Sequence, residues 1–290
     1  MLVSSCATTM TVTSKISTTI GVKTGAIDET KADAIQQNVA EAAKSFKDFT
    51  PEQEYYIGRA VAATILSQYS PYLEPDPNLY LNLLAQTLAQ FSELPETFNG
   101  YHVLTLDSDE INAFSAPGGL IFVSRGMIRC CEHEDALAAV LAHEIGHVQY
   151  KHGLQAIRKS RITLAITTLA IKGVKGLGSE KLARLTETFE GSILDITSTL
   201  INSGYSRGFE KQADKAALDI LDRTGYNPRG LVDMLNVMKK KLKPGGLDFA
   251  KTHPSPYWRI ATLREYMAGY PKVEKKKARQ DRFLKALEGV

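Results

Sequence analysis

The chain has 290 residues, 43% of them hydrophobic and 23% charged, with a formal net charge of +3. That length gives one large domain or two small ones with a real core, in ordinary globular composition. The near-neutral charge gives a nucleic-acid role no support, the three cysteines are too few for a disulfide scaffold, and no stretch holds the roughly 18 to 20 apolar residues needed to span a bilayer.

In chain order, residues 1–27 are rich in Ser and Thr without apolar periodicity and are predicted to form a flexible leader. Within them Val3-Ser4-Ser5-Cys6 resembles the end of a bacterial lipoprotein signal, where small residues precede the lipid-carrying cysteine. On that reading the leader is a tether, Cys6 carries the acyl chains, and the protein sits in the bacterial envelope on a membrane it does not cross. Residues 28–49 are helical in composition. Thr50-Pro51-Glu52-Gln53 then begins a helix to about Tyr69, with Thr50 as N-cap, Pro51 at the first position and Gln53 closing a capping box. Pro71, Pro75 and Pro77 predict a loop, and Leu79 to Phe91 another helix.

Alternation over Tyr101–Leu106 and at Ala113-Phe114-Ser115, the turn Pro117-Gly118-Gly119, and the apolar run Leu120–Val123 predict a small antiparallel sheet. Cys130 and Cys131 are adjacent and are expected to pack as small apolar residues rather than bridge. Beyond them the chain is nearly all helix: an amphipathic segment over Glu134–Gly153, then 155–171, 180–203, 207–224, 228–242 and 255–269. Gly173, Gly176 and Gly178 are hinge candidates in a helical excursion between Gly153 and Gly204 that is expected to cover a cleft. The basic residues Lys272, Lys275, Lys276, Lys277, Arg279, Arg282 and Lys285 predict a solvated helix in 271–290. Helices around one short sheet make an α+β fold, with 28–270 as the main domain.

His143-Glu144-Ile145-Gly146-His147 is an HExxH pattern. Positions four apart share a helix face, so both imidazoles can bind one metal ion. Glu144 is turned about 100° from His143, off the metal but placed to activate an attacking water. Apolar flanks predict that the helix is buried, where unpartnered polar groups would be costly. A catalytic zinc site needs a third protein ligand. Glu210, one helical turn before Asp214 and with the intervening Ala213 small enough for close helix packing, is the best candidate, with Asp214 accepting a hydrogen bond from a ligand imidazole. Tyr150 and Gly153 exclude the pattern that supplies a third histidine downstream. His152 is expected to be a helix-end residue.

Four segments together resemble one family: Asn112 to Gly119 and the strand after it, Glu134-Asp135 leading into the HExxH helix, Ser206-Arg207 through Asp214, and His253-Pro254 with Arg259-Ile260. The family is that of the HExxH zinc metallopeptidases containing the CAAX prenyl proteases, HtpX and the envelope assembly protease BepA. The resemblance implies a mostly helical zincin-like fold with one Zn2+ per chain. Asn112, Ala113, Phe114 and Ser115 would form a cleft-edge strand that pairs with polypeptide substrates. His253 would lie near the metal, stabilising an oxyanion or filling the open position at rest, and Arg259 would order the site. The chain lacks the transmembrane helices of HtpX and the prenyl proteases and the C-terminal repeats of BepA, and so resembles compact, soluble, periplasmic members. The expected activity is zinc-dependent endopeptidase cleavage of unfolded or misassembled proteins. The rival expectation is an envelope chaperone or assembly factor whose zinc site is mostly blocked.

Overall fold

The computed structural model describes residues 49–155, 194, 197–241, 252–271, 273–274 and 276–290. Apart from Phe49 and Thr50, these belong to one of the two compact units into which the chain divides, and every element named below lies in that unit. The predicted leader with Cys6, residues 28–48, and most of the helices at 155–171 and 180–203 and of the cleft-covering excursion fall outside the described residues.

Helix α1 (Pro51–Leu66) begins at the predicted proline. Helix α2 runs Pro75–Ala89, starting four residues before the predicted Leu79. Pro75 and Pro77 sit in its first turn, where a missing N–H costs nothing, so they start the helix instead of marking a loop.

Strands β1 (His102–Leu106), β2 (Ala113–Ala116) and β3 (Leu120–Ser124) form one small sheet in the order β1-β3-β2. The predicted turn joins β2 and β3 antiparallel, with Gly118 and Gly119 at φ +79° and +94°, conformations that favour glycine. β1 pairs with β3 in parallel, so the sheet is mixed rather than wholly antiparallel. Alternation reports which face is buried, not the direction of a strand, which is why the sequence did not reveal this. The outer edge of β1 is capped by α2. Asn82 accepts from Val103 N at 2.9 Å and donates to Val103 O at 2.7 Å, and Asn78 accepts from Thr105 N at 2.9 Å.

A short helix α3 (Arg125–Ile128) leads to Cys130 and Cys131, both buried and unbridged as expected. Helix α4 (Glu134–Gln149) follows, capped by the His133 side chain. It is buried at every position from Glu134 to Val148, as its apolar flanks predicted, and it ends before the predicted Gly153. A helix apolar nearly all round belongs at the centre of a domain, and α4 is enclosed by α2, β2 and three later helices: α5 (Arg207–Arg223), α6 (Arg229–Lys241) and α8 (Lys277–Ala286). Helix α7 (Pro256–Met267) packs on α5 and α6.

The solvated-face expectation for the basic tail holds only in part. Arg279 of α8 is buried and pairs with Asp135 at 3.0 Å, while Arg282 reaches the buried Glu134, which also accepts from Tyr226 at 2.7 Å and Tyr80 at 2.9 Å. The tail is thereby fastened to the first turn of α4. Among the described residues no helix is long and apolar enough to cross a membrane.

Candidate metal centre

The site is built where α4 and α5 touch most closely. A Cβ on Gly146 would lie 3.0 Å from Ala213 Cα and O and 3.1 Å from Ala216 Cβ. Gly146 against Ala213 therefore lets two backbones approach, which brings Glu210, one turn before Ala213, beside the two histidines of α4. His143, His147, Glu210 and His253 are all buried, and one potential ligand atom from each lies within 4.8 Å of the others. Three of these are the expected ligands, and the fourth is the residue expected near the metal.

His143 Nδ1 lies 2.9 Å from Asp214 Oδ1, and Nε2 lies 3.1 Å from His147 Nε2 and 3.6 Å from Glu210 Oε2. His147 Nε2 is 3.5 Å from Glu210 Oε1, and His253 Nδ1 is 2.9 Å from that same oxygen. Burial, then the neighbouring Arg259 charge, push the His143 pKa down to about 4, so this ring is neutral at pH 7. Its Nδ1 proton goes to Asp214 and its bare Nε2 faces the cluster. Burial alone would raise the Glu210 carboxyl, but His253 and His147 outweigh it and hold Glu210 well below the usual range. Burial lowers the His253 pKa, yet Glu210 overrides this and the net shift is upward.

These residues fit a divalent cation. Glu210 Oε2 is buried with no hydrogen-bond partner among the described residues, and it faces the bare nitrogen of His143. Two acceptors turned towards each other in a dry site are costly unless a cation lies between them. A tetrahedral set with arms of about 2.0–2.1 Å places neighbouring donors roughly 3.4 Å apart, and the 3.1, 3.5 and 3.6 Å separations bracket that spacing.

Glu144 is buried but is not one of the four. Its Oε2 accepts from Ser115 Oγ of β2 at 2.8 Å, so β2 borders the site. β2 is one of the two outer strands of the sheet, but Ala113–Ala116 are buried throughout and the π-helical turn Thr199–Ser203 packs against them. Asn112, expected as part of the substrate edge, accepts at its side-chain Oδ1 from Ala113 N and Thr252 Oγ1, both at 3.0 Å. It ties the strand to the residue before His253. Gly204, at φ +67° with a Cβ position 2.3 Å from Thr252 O, lets the chain pass closely at the same point. Arg259, wholly buried, donates to both Asp214 oxygens, from Nε at 3.1 Å and from Nη2. Nη2 also lies 3.2 Å from His143 Nδ1, so Asp214 accepts from both neighbours.

Two groups were not foreseen. Tyr205 stacks on His147 with ring centroids 4.3 Å apart at 20°, and its buried hydroxyl has no partner among the described residues. Burial, then Glu144 and Glu210, push that hydroxyl well above the usual tyrosine range. His152, expected as a helix-end residue, lies just past the end of α4 and belongs to the site's surroundings. It is fully buried, 2.9 Å from His147 Nδ1 and 3.0 Å from Gln212 Oε1, in a face-to-face stack with Phe209 at 4.3 Å and 9°. It lies past the end of α4, beyond Lys151 at φ 53°, where helical spacing no longer tells which way a side chain points.

Residues 75–267 match the family model described as Peptidase family M48. The chain is 28% identical over 198 residues to the beta-barrel assembly-enhancing protease of Escherichia coli K12, covering 65% of this chain and 39% of that protein. It is 26% identical over 233 residues to the mitochondrial metalloendopeptidase OMA1 of Schizosaccharomyces pombe, covering 77% and 64%. It is 27% identical over 161 residues to the metalloprotease YcaL of Escherichia coli K12, covering 56% and 60%. The chain thus spans about two fifths of the length of the first of these relatives.

Proposed function

The chain belongs to peptidase family M48, and from that premise we propose that it is a zinc-dependent metalloendopeptidase acting on unfolded or misassembled proteins of the bacterial cell envelope. The observation that carries this reading is one buried cluster, His143, His147, Glu210 and His253, in which Glu210 Oε2 has no hydrogen-bond donor among the described residues, with Glu144 also buried. His143, His147 and Glu210 would hold the zinc. Bound there, the ion supplies Lewis-acid polarisation of the scissile carbonyl and acidifies water. Glu144 takes a proton from the attacking water and passes it to the leaving amine, with Ser115 holding its carboxylate. His253 stands by to donate to the developing oxyanion or to close the site at rest. Asp214 and Arg259 keep the His143 ring oriented.

The envelope setting is supported by the likeness to the beta-barrel assembly-enhancing protease, and a periplasmic location with a lipid on Cys6 extends it. Metal content and casein cleavage, measured on the wild type and Glu144→Gln, test the proposal. One zinc per chain in both, with cleavage in the wild type alone, is the expected result. A wild type without stoichiometric metal, or a Glu144→Gln variant that cleaves as well, overturns it.

A second reading is favoured by the buried state of β2 under the turn Thr199–Ser203. A chain whose substrate edge is covered could act chiefly by holding client proteins. Glu144→Gln would then leave the cellular phenotype intact.

A further inference from the structure

The two imidazoles of the HExxH motif pose a tautomer problem that the metal cluster does not solve by itself. His143 is committed, because its Nδ1 proton goes to Asp214 and its Nε2 is bare. His147 Nε2 lies 3.1 Å from that bare nitrogen. If His147 carries its proton on Nε2, the two rings hydrogen-bond to each other and the site is closed to a cation. If the proton sits on Nδ1, both Nε2 lone pairs point inward beside Glu210 and the site is open. The choice is made on the far side of the His147 ring.

There Nδ1 of His147 faces Nδ1 of His152 at 2.9 Å, and one of these two nitrogens must donate and the other accept. His152 is wholly buried, and the partner of its Nε2 is a neutral amide, Gln212, whose oxygen lies 3.0 Å away. An amide oxygen can only accept, so the proton of His152 is on Nε2 and its Nδ1 is an acceptor. The Phe209 face at 4.3 Å keeps the ring in this plane. Resting on the metal-site reading above, we propose that Gln212 and His152 form a hydrogen-bond relay that fixes His147 as its Nδ1–H tautomer and so keeps the site open to metal. Both are positioning residues and act through His147. Gln212 lies at an exposed position on α5, so the relay runs from the surface to the centre.

Zinc affinity, by competition with a colorimetric chelator, is to be measured for the wild type, His152→Phe, His152→Asn and Gln212→Leu. The His147 tautomer of the metal-free proteins is to be read from imidazole nitrogen chemical shifts. Phe keeps the stack on Phe209 but removes the acceptor, whereas Asn restores an acceptor near the Nδ1 position. Groups that orient a ligand imidazole are typically worth about 10- to 100-fold in metal affinity. His152→Phe is therefore expected to weaken zinc binding by about that factor, and His152→Asn to recover most of it. Gln212→Leu is expected to shift His147 from the Nδ1–H form to a mixture. A folded His152→Phe that binds zinc as tightly as the wild type overturns the relay, as does an Asn variant no better than Phe. Should the Phe variant not fold, Gln212→Leu with unchanged affinity and unchanged tautomer overturns it. A wild type that fails to bind one zinc refutes the metal site itself, which is a separate outcome.

Discussion

The close approach of α4 and α5 is the feature on which the proposed ligand set depends, and Gly146→Ala tests it directly. The added methyl would sit 3.0 Å from backbone atoms of Ala213 and 3.1 Å from Ala216 Cβ. Carbon atoms in contact prefer about 3.5–4.0 Å, so the helices must separate by about 0.5 Å. Two opposing effects set the stability change. Alanine in place of glycine in a helix interior gains roughly 0.5–1 kcal/mol. Overpacking against backbone, which cannot rotate away, costs about 1–3 kcal/mol. Overpacking wins, and urea unfolding in the presence of a chelator should show a net loss of about 0.5–2 kcal/mol. The metal should suffer more than the fold, because ligand distances tolerate only about 0.2 Å and Glu210 rides on the helix that moves. Zinc affinity measured on the same samples should fall by at least tenfold, or about 1.4 kcal/mol. An alanine variant with undiminished stability and full zinc affinity would refute the argument that this contact sets the ligand geometry.

Three other perturbations have defined outcomes. Arg259→Leu leaves Asp214 buried without its guanidinium, so thermal or urea unfolding should show a loss of about 3–5 kcal/mol, partly recovered by adding Asp214→Asn. Ser115→Ala removes the 2.8 Å bond to Glu144. A hydrogen bond to a charged group is worth about 1.5–3 kcal/mol, and peptidase kcat should drop by at least tenfold with KM little changed; an unaffected kcat would exclude a role for this contact. Chelator treatment of the wild type should lower the melting temperature, because an ion that binds only the folded chain adds about 2.7 kcal/mol when present at a hundred times its Kd. A melting curve indifferent to the chelator would mean that no structural gain comes from metal.

Much of this was legible because it lies within single helices. The HExxH spacing and the Glu210–Asp214 pair are each set by the helical repeat, and the ligand candidates came from those repeats. The direction of β1 was not legible, because alternation is blind to it. Nor was the burial of β2, since a strand's own residues do not tell what packs over it. Gly146 resembled any glycine in a helix until Ala213 stood opposite. His152 and Gln212 lie sixty positions apart in a bond that crosses elements, and no periodicity links them. Arg279 and Arg282 read as members of a charge run, while the carboxylates that claim them sit in the first turn of α4.

What the elements share is a charge problem that only their assembly solves. Glu144, Glu210 and Asp214 are three carboxyl groups in nearly complete burial, and among the described residues Arg259 is the one guanidinium beside them. Arg259 is spent on Asp214, to which it donates at both oxygens. The remaining two carboxylates lie beside imidazoles, of which His143 is held neutral by burial and by that same arginine. Uncompensated buried charge costs several kcal/mol per group, and a divalent cation held by His143, His147 and Glu210 would balance the pair. The buried arginine thus has two consequences. It favours the ionised form of Asp214, which fixes the His143 ring, and it adds to burial in keeping that ring from taking up a proton, so that the nitrogen facing Glu210 stays free to bind a cation.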